Sequence, residues 1–332
     1  MKLLKKKGFG VLLLCLLATF MLVGCGGTEE EAAEENATVK IGLLNIDDSL
    51  PFFIAEQEGL FEKHGVQVEL VSFGSARDKE TALEAGEIDG DMTDLVVTGL
   101  LKKGGLDVKV VATALGAEPA EGRFLLLAAP NSGIETVADL KNQPIGIGNN
   151  TIIHFLADEI CTLNGFTEEE IQTQNIPDLK LRLDTLLAGN SIQAAILPDP
   201  LASLGVMDGA TLILDDTKLQ DEDGNPLNLS QSVVIFTQES LESKGAEIAK
   251  VMAAYDEAKT LLNENPEQYR DALINFAKVP EALKESYAMP HYTTNTVPTA
   301  EEVERVMSWM QTEGLLDTAY TYEEIVDTSL LQ

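Results

Sequence analysis

Three features of the sequence predict an α/β fold of two similar lobes. Strand-like and helix-like segments alternate from residue 39 to about residue 128. The alternation restarts after Pro130, and beyond Glu239 the pattern is mostly helical. Such alternation builds parallel sheets with helices on both faces. Its restart divides the chain in two, and 332 residues are enough for two separate cores.

Val39 to Leu44 alternates and forms the first strand. Ser49 suits a helix N-cap with Pro51 in the first turn, and Gly59 stops that helix. Val66 to Val71 is a second alternating strand, and Asp78 to Ala85 a helix stopped by Gly86. Asp89 to Thr93 reads as a short buried strand, Leu95 to Lys103 as a helix and Val108 to Ala114 as a strand. The apolar run from Arg123 to Ala129 is a further strand ending at Pro130.

A short helix at Val137 to Leu140 and a strand at Pro144 to Ile147 begin the second round. A helix from Thr151 to Leu163 ends at Asn164-Gly165, and Thr167 with Glu170 spells a capping box for another. Leu179 to Leu187 is helical and stops at Gly189; Ile192 to Leu197, Leu212 to Leu214 and Val233 to Phe236 are strands. From Glu239 to Leu316 helical periodicity dominates, through Ile248, Val251, Met252 and Tyr255. Crossings between the lobes are expected near Ala128 to Pro130 and near Ser232 to Phe236. That assigns 39–128 plus 233–332 to lobe 1 and 129–232 to lobe 2.

The first residues carry a different message. Lys2, Lys5, Lys6 and Lys7 precede an apolar run from Val11 to Val23 that closes on Gly24-Cys25. This is the pattern of a secretion leader. The run is short for a membrane span, which needs about 20 apolar residues. Residues 1–25 are therefore expected to be a cleaved leader rather than a retained anchor. The acidic stretch behind it, 26–38, has no large apolar residue and reads as a flexible tether.

The formal charge is −32, and the leader holds four lysines and no acid, so the remainder is near −36. A nucleic-acid partner is excluded, because phosphate contact needs a basic surface, and so is adhesion to anionic lipid. Of three cysteines, Cys15 is in the leader and Cys25 at its end, which leaves Cys161 alone and allows no internal disulfide in the remainder.

Leu22-Val23-Gly24-Cys25 resembles the lipobox of bacterial lipoproteins, which implies lipidation at Cys25 and an extracytoplasmic, membrane-anchored protein. Ile41-Gly42-Leu43-Leu44, Asp48-Ser49-Leu50-Pro51, Ala55 with Gly59-Leu60-Phe61, and Gly65-Val66 with Val68 resemble the opening of the solute-binding proteins of ABC importers. The similarity is to the nitrate/sulfonate/taurine branch, which includes binders of thiamine-pyrimidine precursors. Gly86 to Gly90 with Thr93-Asp94, then Leu183 to Gly189 with Ala194 to Pro200, are similar to later signatures of that branch, as is Pro298 to Leu316. The resemblance implies a type II periplasmic-binding fold whose lobes close on a ligand through a two-strand hinge. It also implies permease and ATPase partners. A monomer without a cofactor is the simplest expectation, since a pair of lobes is self-sufficient.

Ligands of open α/β sheets sit beyond the carboxyl ends of the strands, where helix N-termini offer free N–H groups. Candidate ligand contacts in lobe 1 are therefore Asp47, Asp48, Ser49 and Phe53, then Phe73, Gly74 and Ser75, then Thr93 and Asp94. Those in lobe 2 are Asn149, Asn150, Thr151, His154 and Asp199. Several have a plainer alternative. Ser49, Thr93 and Asp94 suit helix caps, Phe53 core packing, Gly74 a turn and His154 a structural role. Asp199, between two prolines, suits a turn.

An oxyanion ligand would call for arginine, and Arg77 and Arg182 are the nearest candidates. Asp47, Asp94 and Asp199 instead match N–H donors, and Phe53 and Phe73 match a flat ring. The balance favours a small heteroaromatic compound such as a pyrimidine. No metal-ligand spacing, nucleophile elbow or ATP-binding loop appears. Asp221, Asp223, Gly224 and Asn225 suggest a calcium loop, but no bidentate Glu follows at the twelfth position. A binding protein is expected, with no metal and no catalytic residue.

Overall fold

The computed structural model describes residues 37–118, 121–122, 124–221 and 223–331. The expected leader, Cys25 and residues 26–36 of the tether lie outside them. Among the described residues no helix is long and apolar enough to cross a membrane.

The first half runs β1 (Val39–Leu43), α1 (Leu50–Gln57), α2 (Leu60–Lys63), β2 (Val68–Ser72), α3 (Ala76–Glu84), β3 (Gly90–Thr93), α4 (Leu95–Lys103) and β4 (Val108–Leu115). The second contains β5 (Phe124–Ala128), β6 (Pro144–Ile147), α5 (Ile152–Leu163), β7 (Gln172–Asn175), α6 (Leu179–Ala188), β8 (Ala194–Pro198), α7 (Leu201–Met207) and β9 (Thr211–Asp215). The chain ends with β10 (Ser232–Thr237), α8 (Gln238–Glu264), α9 (Pro266–Phe276), α10 (Ala300–Thr312) and α11 (Tyr322–Ile325).

Two five-stranded sheets result, in the orders β2-β1-β3-β10-β4 and β7-β6-β8-β5-β9. In each, three strands are parallel and the fourth is antiparallel to both its neighbours. The sheets follow one plan, which makes the molecule a pair of α/β lobes. The first sheet packs on α1, α8 and α9 around Phe52, Tyr255 and Leu262. The second has a core of its own around Leu183, Leu197 and Ala202.

Several expectations change. Strand β5 pairs with β8 and β9, so the first crossing lies between Leu115 and Phe124, not at 128–130. The stretch is uniformly apolar because it is buried in the middle of the second sheet, and polarity alone does not say in which sheet. Ser49 makes no capping bond; residues 47–49 instead form a tight turn that leads into α1. The capping box of Thr167 and Glu170 is present but opens only one turn, 168–170. Helix α3 begins at Ala76, capped by Ser75. Strand β7 and helix α7 were not expected. Residues 277–299, broken by Pro280, Pro290 and Pro298, carry only one short turn instead of continuous helix.

The two crossings run side by side. Gln231 N–H donates to Leu115 O at 3.0 Å, and Asn228 Nδ2 donates to Ala117 O at 2.9 Å. Asp216 ties both segments, accepting from Phe124 N at 2.8 Å and from Gln231 Nε2 at 2.5 Å. Gly116 has a φ of 87°, and a Cβ there would lie 2.1 Å from Leu229 O. Only glycine permits this approach.

Candidate functional site

The turn after β1 carries three of the first-lobe candidates, Asp47, Asp48 and Ser49. Asp47 is buried; its Oδ2 accepts from Tyr287 Oη at 2.5 Å, and its carbonyl accepts from Tyr292 Oη at 2.8 Å. Ser49 Oγ donates to Asp48 Oδ1 at 3.1 Å. Burial pushes the Asp48 carboxyl up, against the Ser49 and Ser232 hydroxyls and the Lys79 charge. Burial also raises the Tyr287 phenol, helped by the charges of Asp47 and of Asp199. Asp199 follows β8 of the second sheet. Its Oδ1 also accepts from Ser203 N at 2.9 Å and Ser203 Oγ at 2.7 Å, which is the turn role.

Asp94 joins the lobes directly. Its Oδ1 accepts from Val97 N at 2.9 Å at the start of α4, and its Oδ2 from Ile152 N at 3.1 Å at the start of α5. One carboxylate thus caps two helix N-termini, each with free N–H groups and positive polarity. Burial nevertheless raises its pKa. Thr93, half-buried, precedes it at the end of β3. Thr151 caps α5, accepting from Ile153 N at 3.3 Å, and its hydroxyl donates to Gly148 O at 2.8 Å.

Beneath the first-lobe turn lies a charged pair absent from the candidate set. Lys79 and Asp91 are buried, and Lys79 Nζ donates to Asp91 Oδ1 at 2.5 Å and to the Met92 carbonyl. Burial lifts Asp91 to about 6. Glu80 beside it is lifted to about 7, again mainly by burial.

Other candidates stand elsewhere. Phe53 stacks on Phe276 with ring centres 4.9 Å apart, which is the core role. Phe73 lies against the sheet face over Gly42. Gly74 has open space around it and needs no special conformation. Ser75 caps α3. Asn149 and Asn150 are exposed, with their N–H groups on Asn175 Oδ1 (3.0 Å) and His154 Nδ1 (3.4 Å). His154 sits edge-on against Trp309, 5.1 Å between ring centres, and burial lowers its pKa. Its partners mark a helix contact between α5 and α10. Two surface hollows, ≈ 490 Å³ and ≈ 510 Å³, lie around Thr38 and Val68 and around Lys40 and Asp89, at the amino ends of strands and away from this chemistry.

The two arginines differ. Arg77 is exposed. Arg182 is 1% exposed. It donates from Nε to Ile176 O at 2.8 Å and from Nη1 to Ile196 O at 2.9 Å, which ties the residue after β7 to the middle of β8. Burial brings its pKa down to about 10. Tyr287, Tyr292, Tyr255, Ser232 and Lys79 were missed. Four of them lie on α8, on the loop before α10 or on β10, far in sequence from the turn they surround. Lys79, in a polar helix stretch, carries no signal of burial.

Two α/β lobes of one strand order, joined twice, with the turns beyond their strands facing each other, make up the fold of periplasmic binding proteins. Residues 47–269 match the family model described as NMT1/THI5 like, and the chain belongs to that family. An aliphatic sulfonates-binding protein of Escherichia coli is 26% identical over 258 residues, 77% of each chain. A protein of Brachyspira hyodysenteriae described as an ABC transporter periplasmic binding protein is 24% identical over 97% of this chain and 95% of its own. Among solved structures, the aliphatic sulphonate binding protein SsuA from Escherichia coli has a TM-score of 0.71 at 22% identity, covering 87% of this chain and 92% of its own. The nitrate-binding protein from Synechocystis has 0.68 at 15%, covering 89% and 87%.

Proposed function

We propose that the chain is the solute-binding subunit of an ABC importer, a binding protein and not an enzyme. It captures a small organic solute between its lobes and hands it to a permease driven by a separate ATPase. The family match over residues 47–269 carries this reading, and relatives named as sulfonate-binding and periplasmic binding proteins support it. Lobe 1 comprises the first sheet with α8 to α11, lobe 2 the second sheet, and the paired crossings are the hinge. A lipid on Cys25 holds the monomer at the outer face of the membrane. Closure is driven by whatever affinity the solute has for the closed state over the open one.

The favoured ligand is a neutral or cationic ring compound with N–H groups, a vitamin precursor such as a pyrimidine. The carboxylates of Asp47, Asp48, Asp94 and Asp199 at the cleft support it. An oxyanion of the sulfonate, taurine or nitrate kind is the second reading. The buried guanidinium of Arg182, with no salt bridge among the described residues, favours that reading.

A thermal-shift screen of the chain from Val39 onward separates them. Pyrimidines, thiamine and flavin precursors, taurine, alkanesulfonates and nitrate are the panel. A ligand of the folded state raises the melting temperature with concentration. A shift with a ring compound, lost in Asp94→Ala and Asp199→Ala, supports the first reading. A shift only with sulfonates or nitrate selects the second. No shift at all favours a sensor that docks on a receptor.

A further inference from the structure

Where α5 meets α10, three side chains able to ligate a metal stand together. His154 and Asp158 lie one turn apart on α5, with Nε2 and Oδ2 separated by 3.8 Å, and Glu313 follows the last turn of α10. One ligand atom from each lies within 4.8 Å of the other two. His154 and Asp158 are half-buried and Glu313 is exposed, so ions can reach the cluster from its Glu313 side. Helix α5 follows β6 of the second sheet, whereas α10 packs on α4, which leads from β3 to β4 of the first. The cluster therefore joins the two lobes.

Packing does not explain the two carboxylates. The contact with Trp309 needs only the rings of His154 and Phe155, which meet the indole edge-on. Asp158 and Glu313 add negative charge at the end of α10, where the helix carbonyls already place negative polarity. The last turn of α10 holds no basic residue. Among the described residues no lysine or arginine forms a salt bridge with either carboxylate, and Arg305 of the same helix faces Glu159 instead, at 3.6 Å. Burial raises the Asp158 carboxyl, with the Glu168 charge adding to it, and burial and then the Asp158 charge raise Glu313. Burial keeps the His154 ring neutral at pH 7, with a lone pair free for a metal. A neutral imidazole among uncompensated carboxylates calls for a cation that the chain does not supply.

We propose that His154, Asp158 and Glu313 form a site for a zinc-like divalent cation that ties α5 to α10. One imidazole nitrogen and two carboxylate oxygens are ligands of such an ion, and water takes the fourth position. Around zinc they would stand about 3.3 Å apart, so small side-chain rotations gather them. Trp309 Nε1 donates to Asp158 Oδ2 at 3.0 Å and orients that carboxylate, as the outer partners of metal ligands do. Binding through Nε2 leaves the ring proton on Nδ1. The long contact from Asn150 N to Nδ1, 3.4 Å, is then given up, and water takes the N–H of this exposed residue. A nitrogen ligand favours zinc or nickel over magnesium. The site is independent of the solute that the lobes capture, and a bound ion restrains any movement of one lobe against the other. No spacing in the sequence announces it, because Glu313 is far along the chain from the pair on α5.

Trp309 is the single tryptophan of the chain, so indole emission reports on this place alone. Nickel takes the same ligands and quenches indole emission at short range. In the untagged purified chain, with excess magnesium present to occupy the acidic surface, nickel is expected to quench Trp309 saturably and zinc to displace it. His154→Gln and Glu313→Gln should each weaken nickel at least about tenfold. Zinc should also raise the melting temperature of the natural chain more than that of Glu313→Gln. Absence of saturable quenching overturns the proposal. So does quenching that either variant keeps at full affinity, since nickel then sits on other groups, and so does nickel that zinc fails to displace. Should His154→Gln lower the melting temperature without metal, Glu313→Gln, an exposed position outside the core, decides alone.

Discussion

A carboxylate beside a lysine takes its meaning from depth. Lys79 and Asp91 lie in the core of lobe 1, and Asp91 Oδ2 has no partner there among the described residues. Such a pair adds little net stability, but removing one member strands the other. Lys79→Met is expected to cost about 3–5 kcal/mol at pH 8, measured by urea unfolding. The loss should shrink at pH 5, where the stranded Asp91 can take up a proton. A loss independent of pH would mean that Lys79 acts through packing alone. At this scale the sequence pointed to the Asp47–Ser49 turn and to Asp94, because residues just after strands face a cleft in α/β sheets. It did not separate ligand contacts from caps. Asp94 proved to be a cap for two helices, one in each lobe, and the second helix is 58 residues away.

Elements were legible where periodicity or punctuation was strong. The glycines at 59, 86 and 189 end helices in left-handed conformations as expected. Strand β7 was hidden because its residues, Gln172 to Asn175, are polar and mostly exposed at the sheet edge. No alternation marks a strand that has no buried face. The Thr167–Glu170 box gave the opposite error: a good cap starts a turn, but only apolar residues beyond it can anchor a longer helix. Gly116 makes an element-scale prediction. Gly116→Ala places a methyl group against Leu229 O and imposes a left-handed residue, which alone costs about 1–3 kcal/mol. Thermal unfolding should show a large loss of stability. A loss below about 1 kcal/mol would mean that the crossing segments shift apart without cost.

For the whole molecule, the paired crossings decide how the lobes meet, and Asp216 sits where they touch. Burial raises its pKa from the ordinary 3.8 to about 7. Between those values the folded chain holds a proton that the unfolded chain has released. Stability contributed at this position therefore falls as pH rises through that window, and the cost is complete above pH 7. Melting temperatures taken at pH 5, 6, 7 and 8 should decline more steeply in the natural chain than in Asp216→Asn. Equal slopes would remove Asp216 from the pH response of the hinge. Asp91 and Glu80, also raised, contribute to the slope that persists in the variant.

The sequence by itself determined the class of fold, the presence of two lobes and the acidic character. These are local or additive properties, readable from periodicity, helix punctuation and charge. Only the tertiary structure decided that β5 belongs to the second sheet, that Arg182 is buried, and that Tyr255, Tyr287, Tyr292 and Ser232 surround the turn after β1. Each depends on chain segments far apart in sequence. Which segments meet is set by how two sheets exchange strands across a double crossing, and no local pattern encodes that exchange.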